Sequence, residues 1–317
     1  MSLTYGDQGS LSLALTAGSA AQPSSTPITV RFSDVTRGSG LSSSSAEKGD
    51  AAKANQIGPG ACFLDFDDDG RPDLFLADAG TQGGIALLHN AGRGKFEDVT
   101  QKAGFDPKLH AIACAAGDYD NDGHTDLAVT TSDRVLLFHN QGDGTFKDVT
   151  ETTGIRSQSK PVGVTFVDYD HDGDLDLFVS SSEAGKNAMW RNNGNNTFTD
   201  VTSALGFAGN APTFGVTPTD FNNDRAIDLM YSAAKPELLL NPREGKWSVA
   251  PVWDSPNLPP VTAAITLDFD KDGWMDVALS HDGVPGITLW RNVKGKSVEQ
   301  VQLPIKNWRR AWGLDCC

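Results

Sequence analysis

Asp65, Asp67, Asp69 and Asp73 stand at positions 1, 3, 5 and 9 of the stretch DFDDDGRPD, with Gly70 at position 6. Alternating carboxylates followed by a glycine describe a cage for a hard cation. The glycine permits a sharp turn, so that side chains 1, 3 and 5 and the carbonyl of residue 7 converge on one point. Calcium takes about six to eight oxygens in such a cage, whereas zinc would call for His or Cys. The ligands of this first loop are Asp65, Asp67, Asp69, the Arg71 carbonyl and Asp73. A helical calcium hand is excluded, because strand-like text flanks the loop and the Glu at position 12 is missing.

The spacing returns four times. The second set is Asp118, Asp120, Asp122, the His124 carbonyl and Asp126. The third is Asp168, Asp170, Asp172, the Asp174 carbonyl and Asp176, and the last is Asp268, Asp270, Asp272, the Trp274 carbonyl and Asp276. Between them lies a degenerate copy, Asp220, Asn222, Asp224 and Asp228, in which Arg225 replaces the glycine and Asn222 removes a charge. A side chain at a turn needing positive φ costs roughly 1 kcal/mol, so calcium is expected to be weak or absent there, or replaced by the Arg225 guanidinium. Four Ca²⁺ sites and a fifth degenerate one are the cofactor expectation. The loop carboxylates outnumber the formal net charge of −15, so the rest of the chain is net positive and the acidity belongs to the cages. A metal-free chain would then carry strong local repulsion, and calcium becomes part of the folding free energy.

Each loop is followed by a second piece of text: ALLHNAGRGKFEDVT, LLFHNQGDGTFKDVT, AMWRNNGNNTFTDVT, ELLLNPREGKWSVAP and TLWRNVKGKSVEQV. These read as strand, turn, strand, with Asn-x-Gly-x-Gly supplying residues that tolerate positive φ. Every period of about fifty residues therefore holds four strands, and a four-stranded unit that cannot bury both faces alone points to an all-β propeller. We divide the chain into N-terminal strands and a Ser/Gly/Ala-rich connection (1–57) and propeller repeats at 58–110, 111–160, 161–212, 213–260 and 261–310, with a partial blade at 311–317. Six or seven blades are expected in the complete ring. Phe32-Ser-Asp-Val-Thr36 matches the outer-strand text Phe96-Glu-Asp-Val-Thr100, and Trp312-Gly-Leu-Asp-Cys-Cys317 matches a first strand. Either those ends combine to close a ring or the chain is part of a larger propeller, the reading preferred here.

Thirty-three glycines and sixteen prolines spread along the chain suit many short strands. The negative charge argues against nucleic acid, no run of about eighteen apolar residues could span a bilayer, and no signal peptide is visible. Cys62 and Cys114 fall in equivalent strands. A bridge between them is conceivable, but buried free thiols are the expectation, and the adjacent Cys316 and Cys317 do not suit a mutual disulfide. The Asn195-Asn196-Thr197 sequon is explained by turn geometry.

At these residues the chain resembles the FG-GAP and VCBS repeats of integrin alpha-chain propellers and of many bacterial secreted proteins, over roughly residues 58–317. The Asn-x-Gly-x-Gly-x-Phe-x-Asp-Val-Thr half looks most like the ASPIC/UnbV and cartilage acidic protein group. The resemblance implies a seven-bladed ring, calcium in the hairpin loops and an extracellular adhesion or recognition role toward a protein or glycan. Departures are the missing blades and that group's absent C-terminal domain. Oxygen-ligated calcium sites outside cells have dissociation constants of about 10⁻⁴ to 10⁻³ M, which favours an extracellular or periplasmic location. The rival is the propeller of a carbohydrate-active enzyme such as a polysaccharide lyase. His89 and His139 are repeat-equivalent, His124 and His171 lie in loops and His110 and His281 are single, and none forms an acid–base pair, so no enzyme is expected. Trp253, Trp274 and Trp308 could stack on sugars, although packing between blades is the simpler expectation. Trp190 and Trp290 recur at equivalent positions and are read as structural.

Overall fold

The protein was analysed as a computed structural model, which describes residues 38–40, 60–77, 84–156, 160–206, 209, 211–253 and 258–303, together with the backbone of three strands near the N-terminus. Those three, β1 (Ser2–Gly6), β2 (Ser10–Ala14) and β3 (Val30–Arg31), form one antiparallel sheet in that order. The remaining strands form five four-stranded antiparallel sheets, each a meander in sequence order. Blade one is β4 (Ala61–Leu64), β5 (Asp73–Leu76), β6 (Ala86–Gly92) and β7 (Lys95–Asp98). Blade two is β8 (Ala111–Gly117), β9 (Asp126–Thr131), β10 (Val135–Asn140) and β11 (Phe146–Asp148), followed by the single turn α1 (Thr150–Thr153). Blade three is β12 (Pro161–Val167), β13 (Asp176–Ser181), β14 (Ala188–Asn192) and β15 (Phe198–Asp200), followed by α2 (Thr202–Leu205). Blade four is β16 (Thr213–Thr219), β17 (Asp228–Ala233), β18 (Glu237–Leu240) and β19 (Ser248–Ala250). Blade five is β20 (Val261–Leu267), β21 (Asp276–His281), β22 (Ile287–Asn292) and β23 (Val298–Val301).

The second strand of each blade reads as a continuous apolar run because both of its faces are covered. Every residue of β9, β13, β17 and β21 is buried, as expected for a strand sandwiched between neighbouring sheets. The core is divided accordingly, one cluster to each interface. Phe75 and Leu87 of blade one meet Leu127 and Phe138 of blade two. Leu137 meets Trp190 and Phe198, Phe178 and Met189 meet Tyr231 and Trp247, and Met230 and Leu238 meet Leu279 and Trp290. Trp190 and Trp290 are thus interface packing, and Trp253 stacks edge-on to Trp290 with ring centroids 5.1 Å apart. Trp308 lies outside the described residues.

The Asp-Val-Thr signature closes the outer strands of blades one to three by a side-chain bond. The Thr150 hydroxyl accepts the Leu137 N–H at 2.9 Å and donates to Asp148 at 2.6 Å. Thr100 and Thr202 accept from Leu87 and Met189 in the same way. Replacing Thr150 by Val keeps the shape and orphans the amide of Leu137, so Thr150→Val is expected to cost about 1–2 kcal/mol in urea unfolding.

One expectation changes. Cys62 and Cys114 are a disulfide rather than free thiols, with Cα atoms 6.1 Å apart, tying β4 to β8. They are not repeat-equivalent: Cys62 lies three residues before Asp65 and Cys114 four before Asp118. Successive side chains on a strand point to opposite faces, so this one-residue offset turns the two sulfurs toward each other across the interface. The blade-tail reading of Phe32–Thr36 falls outside the described residues, as does that of 311–317. Residues 38–40 nevertheless sit against blade one as a connector does. The Ser39 carbonyl accepts the Phe96 N–H at 2.7 Å, just as the Ala103 carbonyl accepts that of Phe146 at 2.8 Å.

Candidate metal centres

The five loops join the first strand of each blade to the second, and the residue at position 9 opens that second strand. Asp73, Asp126, Asp176, Asp228 and Asp276 are all fully buried. Oδ2 of each accepts the N–H of the aromatic residue at position 2, from 3.1 Å at Tyr119 to 3.2 Å at Phe66. Oδ1 accepts the N–H of an asparagine near the end of, or just after, the third strand: Asn90 at 2.7 Å, Asn140, Asn192 and Asn292 at 2.8 Å, and Asn241 at 2.9 Å. Burial raises the carboxyl pKa of all five against these lowering hydrogen bonds, taking Asp176 to about 8 and Asp228 to about 6.

The carboxylate at position 1 holds the turn together. Asp65 accepts the N–H groups of Asp69 at 3.1 Å and Gly70 at 2.9 Å, and Asp118, Asp220 and Asp268 repeat the pattern. Position 5 accepts the N–H of residue 7, as from Arg71, His124, Asp174 and Trp274. Residues 1, 3 and 9 converge in the first and third loops, where ligand atoms of Asp65, Asp67 and Asp73, and of Asp168, Asp170 and Asp176, lie within 4.8 Å of one another; in the second loop residues 1, 3 and 5, Asp118, Asp120 and Asp122, do the same. Asp120 Oδ1, Asp168 Oδ1 and Asp170 Oδ1 are buried with no hydrogen-bond partner. A buried, acceptor-only oxygen of this kind is what a bound cation satisfies, and the donor set fits a hard dication.

Sequence reasoning placed the positive φ at position 6 alone, yet position 4 has it too in every copy: Asp68 (57°), Asn121 (58°), His171 (61°), Asn223 (55°) and Lys271 (63°). In the fourth loop Arg225 does adopt φ 69°, but no ion pair joins its guanidinium to the loop acids among the described residues. Instead Arg243 donates to the Asp224 carbonyl. His89 and His139, read from sequence only as repeat-equivalent, lie against the first two cages.

The asparagines of the Asn-x-Gly-x-Gly text do a different job from the expected one. The positive φ of those turns belongs to later residues, such as Gly142 and Gly144, while the asparagine is buried and staples neighbouring blades. Nδ2 of Asn140 donates to the Phe66 carbonyl of the preceding blade at 2.9 Å, and Asn192 to Tyr119 at 2.7 Å. Asn241 reaches Tyr169 at 2.7 Å and Asn292 reaches Phe221 at 2.8 Å. Residue 2 of each of those loops is thus held by its own blade through N–H and by the next blade through C=O. Loops also touch directly: His124 Nδ1 lies 2.7 Å from Asp68, and Asn121 donates to Asp174 at 2.8 Å. Between blades one and two the loops border a cleft of about 700 Å³ lined by Phe66, Asp67, His89, Glu97, Lys102 and Asp143.

The FG-GAP-like repeat model matches residues 65–129, 118–179 and 176–231, together more than half of the chain. The chain belongs to the FG-GAP-like repeat family. Each of these FG-GAP-like matches opens at or just before a cage or its buried position-9 aspartate. Among solved structures, an Agrocybe aegerita lectin, described as specifically recognising non-reducing terminal N-acetylglucosamine, superposes with a TM-score of 0.53 at 18% identity, covering 79% of this chain and 67% of the lectin. The V. cholerae biofilm matrix protein Bap1 gives 0.45 at 17% identity, over 78% of this chain and 39% of its own. No curated protein matches the sequence. The chain therefore spans about two thirds of the lectin and well under half of the biofilm protein. No helix among the described residues is long and apolar enough to cross a membrane.

Proposed function

We propose that the chain is a calcium-binding propeller that acts outside the cytoplasm as a recognition or adhesion module for a protein or glycan, and that it is not an enzyme. The buried carboxylate oxygens without hydrogen-bond partners in the second and third loops carry the reading, because they leave a deficit that a hard cation removes. With calcium bound, the ion and the loop backbone form a rigid face at one end of the blades. Asp65, Asp67, Asp69 and Asp73 and their counterparts would hold it. The fourth loop, with Asn222 and Arg225, is the weak member. The disulfide between Cys62 and Cys114 supports an oxidising compartment. The cleft between blades one and two is the place a ligand would enter, and the same fold serves glycan recognition in the Agrocybe aegerita lectin.

Calorimetric titration of the chelator-stripped chain with calcium, run in parallel with a glycan array and an assay on uronate polymers, tests this reading. Four sites, glycan or protein binding that calcium restores, and a flat lyase assay are expected. Absence of calcium heat would remove the basis of the proposal, and turnover of a uronate polymer would replace recognition by the lyase alternative.

A further inference from the structure

The residue that precedes the asparagine bonded to each position-9 aspartate divides the cages into classes. It is His89 in blade one, His139 in blade two, Arg191 in blade three, Leu240 in blade four and Arg291 in blade five. Arg291 turns outward, donating to Glu299 at 2.6 Å. The two histidines turn inward. His139 Nδ1 lies 3.2 Å from Asp126 Oδ1 and 3.3 Å from Asp120 Oδ2, and His89 Nδ1 lies 3.2 Å from Asp73 Oδ1 and 3.3 Å from Asp67 Oδ2. Neither nitrogen is in hydrogen-bond geometry with anything. Asp120 is 6% exposed in its side chain, and its second oxygen, Oδ1, is buried without a partner.

Two ligand atoms bound about 2.1 Å from one ion, at about 90–110° to each other, lie about 3.0–3.4 Å apart. Both imidazoles meet both of their carboxylates at that separation, in two independent copies. The aromatic residue at position 2 buttresses each ring edge-on, Tyr119 against His139 at 6.3 Å and Phe66 against His89 at 6.0 Å between centroids. An imidazole nitrogen beside two carboxylates suits a borderline first-row dication better than calcium, which takes oxygen.

We infer that the cages of blades one and two are mixed nitrogen–oxygen sites that bind a first-row transition dication such as Zn²⁺ or Co²⁺ in preference to calcium. His139, Asp120 and Asp126 form the ligand set in blade two and His89, Asp67 and Asp73 that in blade one. The inference rests on reading the loops as cation cages, and leaves calcium to the third and fifth loops when both metals are present.

Titrating the chelator-stripped full chain with Co²⁺ in excess calcium tests it through the visible d–d absorption. Two equivalents are expected, with His139→Arg and His89→Arg each removing one. Arginine is the native residue at this position in blades three and five, so both variants keep a side chain the fold already uses, and far-ultraviolet circular dichroism checks that they do. Retention of both equivalents in the His139→Arg, His89→Arg double variant, or complete displacement of Co²⁺ by calcium, overturns the inference. The parent reading is scored separately by calcium heat at the third and fifth loops, which Asp170→Asn and Asp270→Asn should each reduce by one site while leaving the Co²⁺ band unchanged.

Discussion

Stripping calcium from this chain is expected to lower its melting temperature by about 9 °C near neutral pH. A ligand that binds only the folded state stabilises it by RT ln(1 + [L]/Kd), or about 1.4 kcal/mol per site at tenfold excess over the dissociation constant. Four such loops give roughly 6 kcal/mol, and with an unfolding entropy of about 2.1 cal/mol/K per residue a chain of 317 residues moves about 1.5 °C per kcal/mol. The direction with pH is also fixed. The buried aspartates at position 9 have folded-state pKa values above the ordinary carboxylate value of 3.8, reaching about 8 for Asp176 and about 6 for Asp228. The metal-free folded state therefore binds more protons than the unfolded chain across that window. Its stability is fully present below pH 4 and is lost as pH rises toward 8. Calcium replaces the proton as the compensating charge, so the loss should flatten when the ion is saturating. Differential scanning fluorimetry from pH 5 to 8, with chelator and with calcium, reads both effects. A melting temperature that ignores calcium at pH 8 would count against occupied cages.

The clustered acidic loops were legible from sequence because one spacing recurs: oxygen at 1, 3, 5 and 9 five times over has no competing explanation in turn propensity. Blade organisation followed, since a period of about fifty with four apolar runs admits few architectures. The buried run Asp176–Ser181 showed its double-faced covering directly in its composition. What escaped detection lay in text with two meanings. Asn192 stands before a glycine in a hairpin, where a turn residue is the ordinary reading, and nothing local says that its amide is buried against the Tyr119 carbonyl. The repeats held a clue: in the fourth copy Pro242 and Arg243 displace the turn pattern while Asn241 stays. A residue kept where the turn is rewritten serves something other than the turn.

Cys62 and Cys114 escaped for a related reason. Placing them in equivalent strands was correct, but the expectation of free thiols took no account of their offset of one residue, and in a strand one residue is the difference between facing a neighbour and facing away. His89 and His139 were hidden by distance along the chain, since they lie 24 and 21 residues after the first aspartates of their loops. Only the antiparallel return of β6 and β10 beside β5 and β9 brings them to the cage.

Removing one staple is expected to cost more than any single surface change in the propeller. Asn192→Ala deletes the donors to the Tyr119 carbonyl at 2.7 Å and the Leu175 carbonyl at 3.2 Å, and the acceptor for the Gly194 N–H at 3.1 Å. Gly194 is exposed and water can replace that bond, but the carbonyls lie at a packed interface where an unpaired oxygen costs about 1–3 kcal/mol. With the cavity left by the side chain, a loss of about 3–5 kcal/mol follows. Asn90 provides the internal control. Its amide reaches Pro72 of its own blade at 2.9 Å, an exposed bond, and no carbonyl of another blade among the described residues. Asn90→Ala should therefore cost about 1 kcal/mol. Urea unfolding of the two variants in saturating calcium separates the roles. Equal losses would mean that the asparagine merely shapes its own turn. A loss several times larger for Asn192 places the blade-to-blade bond among the main determinants of stability, and a lower slope of free energy against urea would show that blades then unfold in separate steps.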